Sequence, residues 1–190
     1  LRAAAEGELL TEEGIRAQAA RMLEDDRARD GVLEFFIEWF ELDALDELSK
    51  DEDLFPQIST TLGPAMRHEI EYYFESRIFD QNIDWVELFT SRQVIVNDEL
   101  RQVYGMTDPV EGDAWELRVI PNEWVRGGLL TSPGILALHS RRSRTSPTLR
   151  GLFILDRLLC VTIQEAPDDL NVDELAAPDG LERSLPRSLP

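Results

Sequence analysis

Between Val32 and Phe40 the chain places Val32, Phe35, Phe36, Trp39 and Phe40 on one side of a helix. An apolar aromatic stripe this wide at a spacing of three and four residues has to be covered by other elements. It therefore predicts a helix from about Arg27 to Glu41 at the centre of a helical core. The same period recurs elsewhere. Thr11 caps a preceding helix with Glu12 and Glu13 in its first turn and Ile15, Ala19, Met22 and Leu23 at helical spacing. Leu42, Leu45 and Leu48 give a short helical turn. "LGPAMRHEIEYYFESRIFD" gives a long helix carrying Met66, Ile70, Tyr73, Phe74 and Ile78, with Pro64 near its start and His68 at a surface or boundary position.

Further along, Asn82 or Asp84 begins a short helix with Trp85, Leu88 and Phe89. Val94–Val96 is a short extended piece, followed by a helix capped by Asn97 and stopped at Gly105. "TDPVEGD" is a loop. In "AWELRVIP", Trp115, Leu117 and Val119 alternate with Glu116 and Arg118, which predicts a half-buried strand pairing with Val94–Val96. A local echo follows. Ser132-Pro133 and Ser146-Pro147 each combine an N-cap serine with a proline at the first helical position, and the basic loop Ser140–Arg144 joins the two helices. The second carries Leu149, Leu152, Phe153, Leu155, Leu158 and Leu159. Gly151 inside it marks either a close approach of a helix or ligand, or a merely tolerated glycine. After Cys160 the composition turns to Pro, Asp and Glu without a period, which predicts an irregular acidic tail.

The expected fold is thus mainly α: a compact multi-helix domain of about six or seven helices with a minor two-stranded β element. The expected organisation is a first helical region over 1–110, a second over 111–160 packed with it as one unit, and the tail over 161–190.

Charge and composition narrow the function classes. The chain of 190 residues carries 38 acids against 19 basic residues, a net charge of -19, which argues against nucleic acid or an anionic membrane as partner. No run of about 18 apolar residues is present to form a transmembrane helix. The opening "LRAAAEGELL" has no signal peptide and reads as an internal fragment or a processed chain. Cys160 is a single cysteine, expected to be buried or, in a longer parent chain, disulfide-linked; as a nucleophile it has no visible His partner, His139 being only a remote candidate. No metal-ligand spacing occurs. The many carboxylates single out no acid/base pair, so catalytic residues stay undefined and enzymatic activity stays open.

Against that acidic background, "RRSRTSPTLRGLF" from Arg141 to Phe153 holds four arginines and no acid. Two expectations compete. The arginines pair with the chain's own carboxylates on the surface. Alternatively, Arg144, Thr145, Ser146 and Arg150 assemble an anion site for a phosphate, a sulfate or a carboxylate.

The stretches "FFIEWFELDALDELSKDEDLFP", "AMRHEIEYYFE" and "VNDELRQVYGM" resemble one domain of unknown function. "RGGLLTSPGILALHSRRSRTSPTLRGLFILDRLLC" resembles the domain that usually follows it. Such paired domains occur in large exported bacterial proteins of the planctomycete and myxobacterial type. These are commonly cytochrome-associated, with a c-type haem motif further downstream. The resemblance covers about Arg21 to Cys160. It rests most on Arg126-Gly127-Gly128-Leu129-Leu130-Thr131 and on Arg144-Thr145-Ser146-Pro147 with Arg150-Gly151.

The resemblance implies several expectations. The chain is a non-catalytic scaffold or interaction module of an exported, periplasmic or cell-surface, haem-associated redox protein. Haem lies in a C-terminal part of the parent and no cofactor within this chain, and the parent's missing domains are the partners. Arg144, Thr145, Ser146 and Arg150 then build a helix corner, hold a haem propionate or dock the haem domain. A carboxylate-dependent hydrolase or carbohydrate-active domain is the alternative, and a plain anion-binding module a further one. The oligomeric state is open.

Overall fold

The computed structural model describes residues 2–81, 83–110 and 114–161. Among them are seven α-helices and one two-stranded antiparallel sheet. The helices are α1 (Arg2–Ala5), α2 (Glu12–Leu23), α3 (Asp26–Phe40), α4 (Leu62–Glu75), α5 (Asp98–Tyr104), α6 (Pro133–Leu138) and α7 (Pro147–Phe153). The strands are β1 (Gln93–Val96) and β2 (Glu116–Val119). The mainly helical fold with a minor sheet matches the expectation.

The helix starts follow local chemistry. Thr11 accepts from the Gly14 N–H and Asn97 from Leu100 N–H at 2.9 Å, while Ser132 and Ser146 cap α6 and α7 ahead of their prolines. Asp84 caps a 3-10 turn, Trp85–Phe89; the alternative start at Asn82 lies outside the described residues. π turns, Ser76–Asp80 and Ile154–Leu158, extend α4 and α7.

The core forms where the aromatic stripe of α3 meets α4. Phe36 stacks on Phe74 with centroids 4.1 Å apart and planes 12° apart, and Phe40 joins Phe74 to Phe153 of α7. Leu42 and Leu45, in the turn after α3, are fully buried beneath α4. α6 crosses α4 so closely that a Cβ on Gly134 would lie 2.7 Å from Ile70 Cδ1. Gly128, at φ +73°, has its Cα hydrogen aimed where a Cβ would lie 2.0 Å from the Phe89 carbonyl oxygen, so no other residue fits that position.

Several apolar stripes face differently from the expectation. β1 packs on α4, and β2 lies outside it with Val94 opposite Arg118 and Ile95 opposite Leu117. No described residue covers the outer face, so Leu117 and Val119 are 57% and 65% exposed, whereas the sequence alternation predicted a half-buried strand. No residue of α2 is buried, because α2 rests on the short N-terminal turns and the start of α3 rather than on the core. In the last helix only Phe153 is buried, and Leu152, Leu155 and Leu159 face outward. Cys160 is exposed, not buried. His68 is exposed as expected, against the Trp115 ring. The predicted acidic tail lies outside the described residues from 162 onward.

Gly151 resolves as a tolerated glycine. A Cβ built on it meets nothing within 4 Å. Gly151→Ala is therefore expected to raise stability by about 0.4–1 kcal/mol, through higher helix propensity and a less flexible unfolded chain. Urea unfolding of the variant checks this; a loss would mean that another body approaches the helix there.

Candidate functional site

The basic loop is fixed from two sides. The Asp51 N–H donates to the Arg142 carbonyl at 3.1 Å, and Arg141 N–H to the Arg144 carbonyl at 2.9 Å. Lys50 Nζ donates to the Ala137 carbonyl at 2.9 Å and to Ser140 Oγ at 2.8 Å, a cation at the C-terminus of α6 where the helix carbonyls are free. Burial pushes the Lys50 ammonium below its ordinary value.

This strap leaves a pocket of about 220 Å³ between the loop, α4, α5 and the segment ahead of α6. Its polar side carries Lys50, Arg126, Arg144, Thr145 and Arg150; no described Asp or Glu lines it. Its apolar side is built by Phe55, Ile58, Leu62, Met66, Val103 and Leu136. Arg126 is held there by its own motif. Gly127 N–H donates to Thr131 Oγ1 at 2.8 Å, and the Thr131 hydroxyl donates back to the Gly127 carbonyl at 3.0 Å. The Arg126 guanidinium lies over the Tyr104 ring, 5.6 Å from its centroid.

Three of the four residues anticipated from sequence meet at this pocket, namely Arg144, Thr145 and Arg150. Ser146 does not. It is buried, and its Oγ is taken by the Leu149 N–H as a helix cap. Thr145 Oγ1 accepts from Arg150 Nη2 at 2.6 Å. Arg150 Nε and Arg126 Nη1 are buried without a hydrogen-bond partner among the described residues. The knot does not pair with the chain's own acids among the described residues. Among the described residues Arg141, Arg142, Arg144 and Arg150 have no carboxylate within 4.0 Å, although eight other arginines do.

Sequence reasoning missed Lys50, Arg126 and the apolar wall. Arg126 was signalled as the first residue of the quoted Arg-Gly-Gly motif. Lys50 carried no signal, because its role depends on an α6 terminus 87 residues away.

Behind Arg126 lies a second, smaller cavity of about 20 Å³, walled by Glu69, Tyr73 and Tyr104. Glu69 is 3% exposed and accepts from the Tyr104 hydroxyl at 2.5 Å through Oε1, while its Oε2 has no partner. Burial pushes the Glu69 carboxyl up to about 8, against the opposing pull of the Tyr104 hydrogen bond and the Arg126 charge. The sequence did hold a signal for it. Glu69 is three residues after Met66 and four before Tyr73, on the buried stripe of α4.

His139, the sole partner available to Cys160 from sequence, has its ring stacked on Phe153 at 4.0 Å. Among the described residues no group of three or more His, Cys, Asp or Glu is placed to hold a metal ion, and no helix is long and apolar enough to cross a membrane.

A family model described as a protein of unknown function (DUF1592), with the short name PSD4, matches residues 1–106. A second, described as a protein of unknown function (DUF1588) and named PSCyt3, matches residues 126–186. Their tandem order agrees with the resemblance to paired domains of unknown function from cytochrome-associated proteins. No curated protein and no solved structure matches the chain.

Proposed function

Because the chain belongs to the DUF1592 family of proteins of unknown function, we propose that it is a non-catalytic binding module of a larger, exported, haem-associated protein, and that its pocket takes a small organic anion. The observation that carries this is the pocket lining: among the described residues four cationic side chains and no acid, in a chain of net charge -19. Two of those arginines keep a buried N–H without a partner, and a buried donor left unsatisfied costs about 1–3 kcal/mol unless something fills the place.

The apolar wall selects the rest of the ligand. Inorganic phosphate or sulfate would satisfy the cations and leave Phe55, Ile58 and Leu136 uncovered. A carboxylate or phosphate on a compact apolar body covers both sides. The volume falls short of the ~300–1,000 Å³ of sites for larger ligands, so the body is small. The interaction role is supported separately by apolar side chains that no described residue covers: Leu117 and Val119 on β2, and Val125 beside the pocket segment, 98% exposed. The carboxylate-hydrolase alternative finds no support in the described lining of the pocket, where no acid stands to serve as proton donor.

Calorimetric titration with octanoate and benzoate, and with sulfate as the anion without an apolar body, tests the proposal. Both carboxylates are expected to bind more tightly than sulfate. Arg126→Gln with Arg150→Gln is expected to weaken them at least tenfold, since a charge-assisted hydrogen bond contributes about 1.5–3 kcal/mol. Thermal unfolding of the double variant verifies that it folds. Equal binding by the double variant would overturn the assignment.

A further inference from the structure

Arg126 stands between two compartments. Its guanidinium lines the anion pocket and covers the Tyr104 ring, and the Tyr104 hydroxyl is spent on Glu69. The same charge acts on the Glu69 carboxyl. We propose that Glu69 is a proton site coupled to the anion pocket through Arg126, so that an anion and a proton bind to the domain together. The proposal rests on the anion-binding reading of the pocket.

Among the described residues no other charged side chain walls the cavity with Glu69, and Arg126, on the far side of the Tyr104 ring, is the positive charge that acts on it. On its own helix, the Tyr73 hydroxyl donates to the Leu88 carbonyl at 2.7 Å, and Arg77 lies beyond, over the Tyr73 ring. α5 contributes Tyr104. β1, the 129–131 turn and the start of α6 contribute Gln93, Thr131 and Ser132, all neutral. Gln93 is itself engaged by Arg77 Nη2 at 2.7 Å. A buried carboxylate at Glu69 thus has a single positive charge to lean on. An anion in the pocket claims that charge and adds its own negative charge nearby. Both effects favour the protonated acid. By reciprocity a protonated Glu69 leaves Arg126 free for the anion. The unpartnered Oε2 gives the proton a place to reside without breaking the Tyr104 hydrogen bond.

Glu69 is neutral below neutral pH, so coupling shows only as pH approaches and passes 8. If the anion raises the proton affinity tenfold, binding takes up almost no proton at pH 6 and about 0.4 of one at pH 8. Anion affinity then falls about fivefold between pH 7 and pH 9.

Two measurements on the full chain test this. The Glu69 carboxyl is titrated by carbon NMR without ligand in wild type and in Arg126→Gln, where its midpoint is expected to rise. Octanoate binding is measured calorimetrically at pH 6 and pH 8 in two cationic buffers of different ionisation enthalpy, where proton uptake is expected at pH 8 in wild type and none in Glu69→Gln, which still binds. An unmoved Glu69 midpoint in Arg126→Gln overturns the coupling whether or not any anion binds. Octanoate binding without proton uptake at pH 8 overturns it with the anion site intact. Absence of octanoate binding removes the anion reading, and the linkage falls with it, even if the Glu69 midpoint moves.

Discussion

Glu69→Gln is expected to remove most of the decline in stability that the wild-type protein shows between pH 5 and pH 8. The carboxyl has an ordinary value of 4.5 when the chain unfolds and sits near 8 in the fold. Between those values the folded state holds a proton that the unfolded state has released. The contribution of Glu69 is therefore fully present below about pH 4.5 and is lost as pH rises through 8. A gap of that size corresponds to on the order of 4 kcal/mol across the window, at about 1.4 kcal/mol per unit. The amide keeps an acceptor for the Tyr104 hydroxyl and cannot ionise. Urea unfolding of both proteins at pH 5 and pH 8 reads the difference directly. The stability of the variant relative to wild type should grow with pH. Parallel pH profiles would mean that Glu69 ionises at an ordinary value, with water reaching its cavity.

Phe74→Ala is expected to lower the unfolding free energy by about 3–5 kcal/mol, the range for emptying a large aromatic from a packed core. Phe74 is 1% exposed and lies at the junction of three elements, stacked on Phe36 and in ring contact with Phe40, which in turn meets Phe153 of α7. Removing it separates α3 from α4 and withdraws support from α7, which carries Arg150 and follows the loop that holds Arg144. Against a typical total of about 5–15 kcal/mol, that loss brings the domain to the edge of folding. Phe35→Ala, on the exposed side of the same helix, is the internal control and should cost far less. A loss below about 1 kcal/mol at Phe74 would contradict the described core.

What could be read from sequence divides along a physical line. Caps and turn glycines were legible because their causes lie within four residues: Thr11, Asn97, Ser132 and Ser146 each accept from a backbone N–H three residues on. The aromatic stripe of α3 was legible in part: Phe36 and Phe40 turn inward as a wide apolar face requires, whereas Phe35 at its edge is 54% exposed. The stripes of α2, β2 and α7 misled, since periodicity shows that a face is apolar but not whether a second layer exists to cover it. Above Leu117 and Val119 the described residues supply none.

The pocket was half legible. Arg144, Thr145 and Arg150 are neighbours in sequence. Lys50 and Arg126 arrive from distant segments, and Lys50 is recruited by backbone carbonyls that carry no residue identity. The basic knot was expected to find acids because the chain is full of them. Instead Lys50 ties the loop to the end of α6, and Arg144 and Arg150 face a pocket that no described carboxylate enters.

The central claim is that an organic anion occupies the space between those cations and the wall of Phe55, Ile58, Leu62 and Leu136. Methyl-resolved NMR of the wild-type protein during addition of octanoate tests it most directly. The account predicts saturable shifts at Ile58, Leu62, Val103 and Leu136, with nuclear Overhauser contacts from the octanoate chain to those methyls and unchanged resonances at Leu117 and Val119. Shifts confined to the exposed outer face of β2, with the pocket methyls silent, would contradict it.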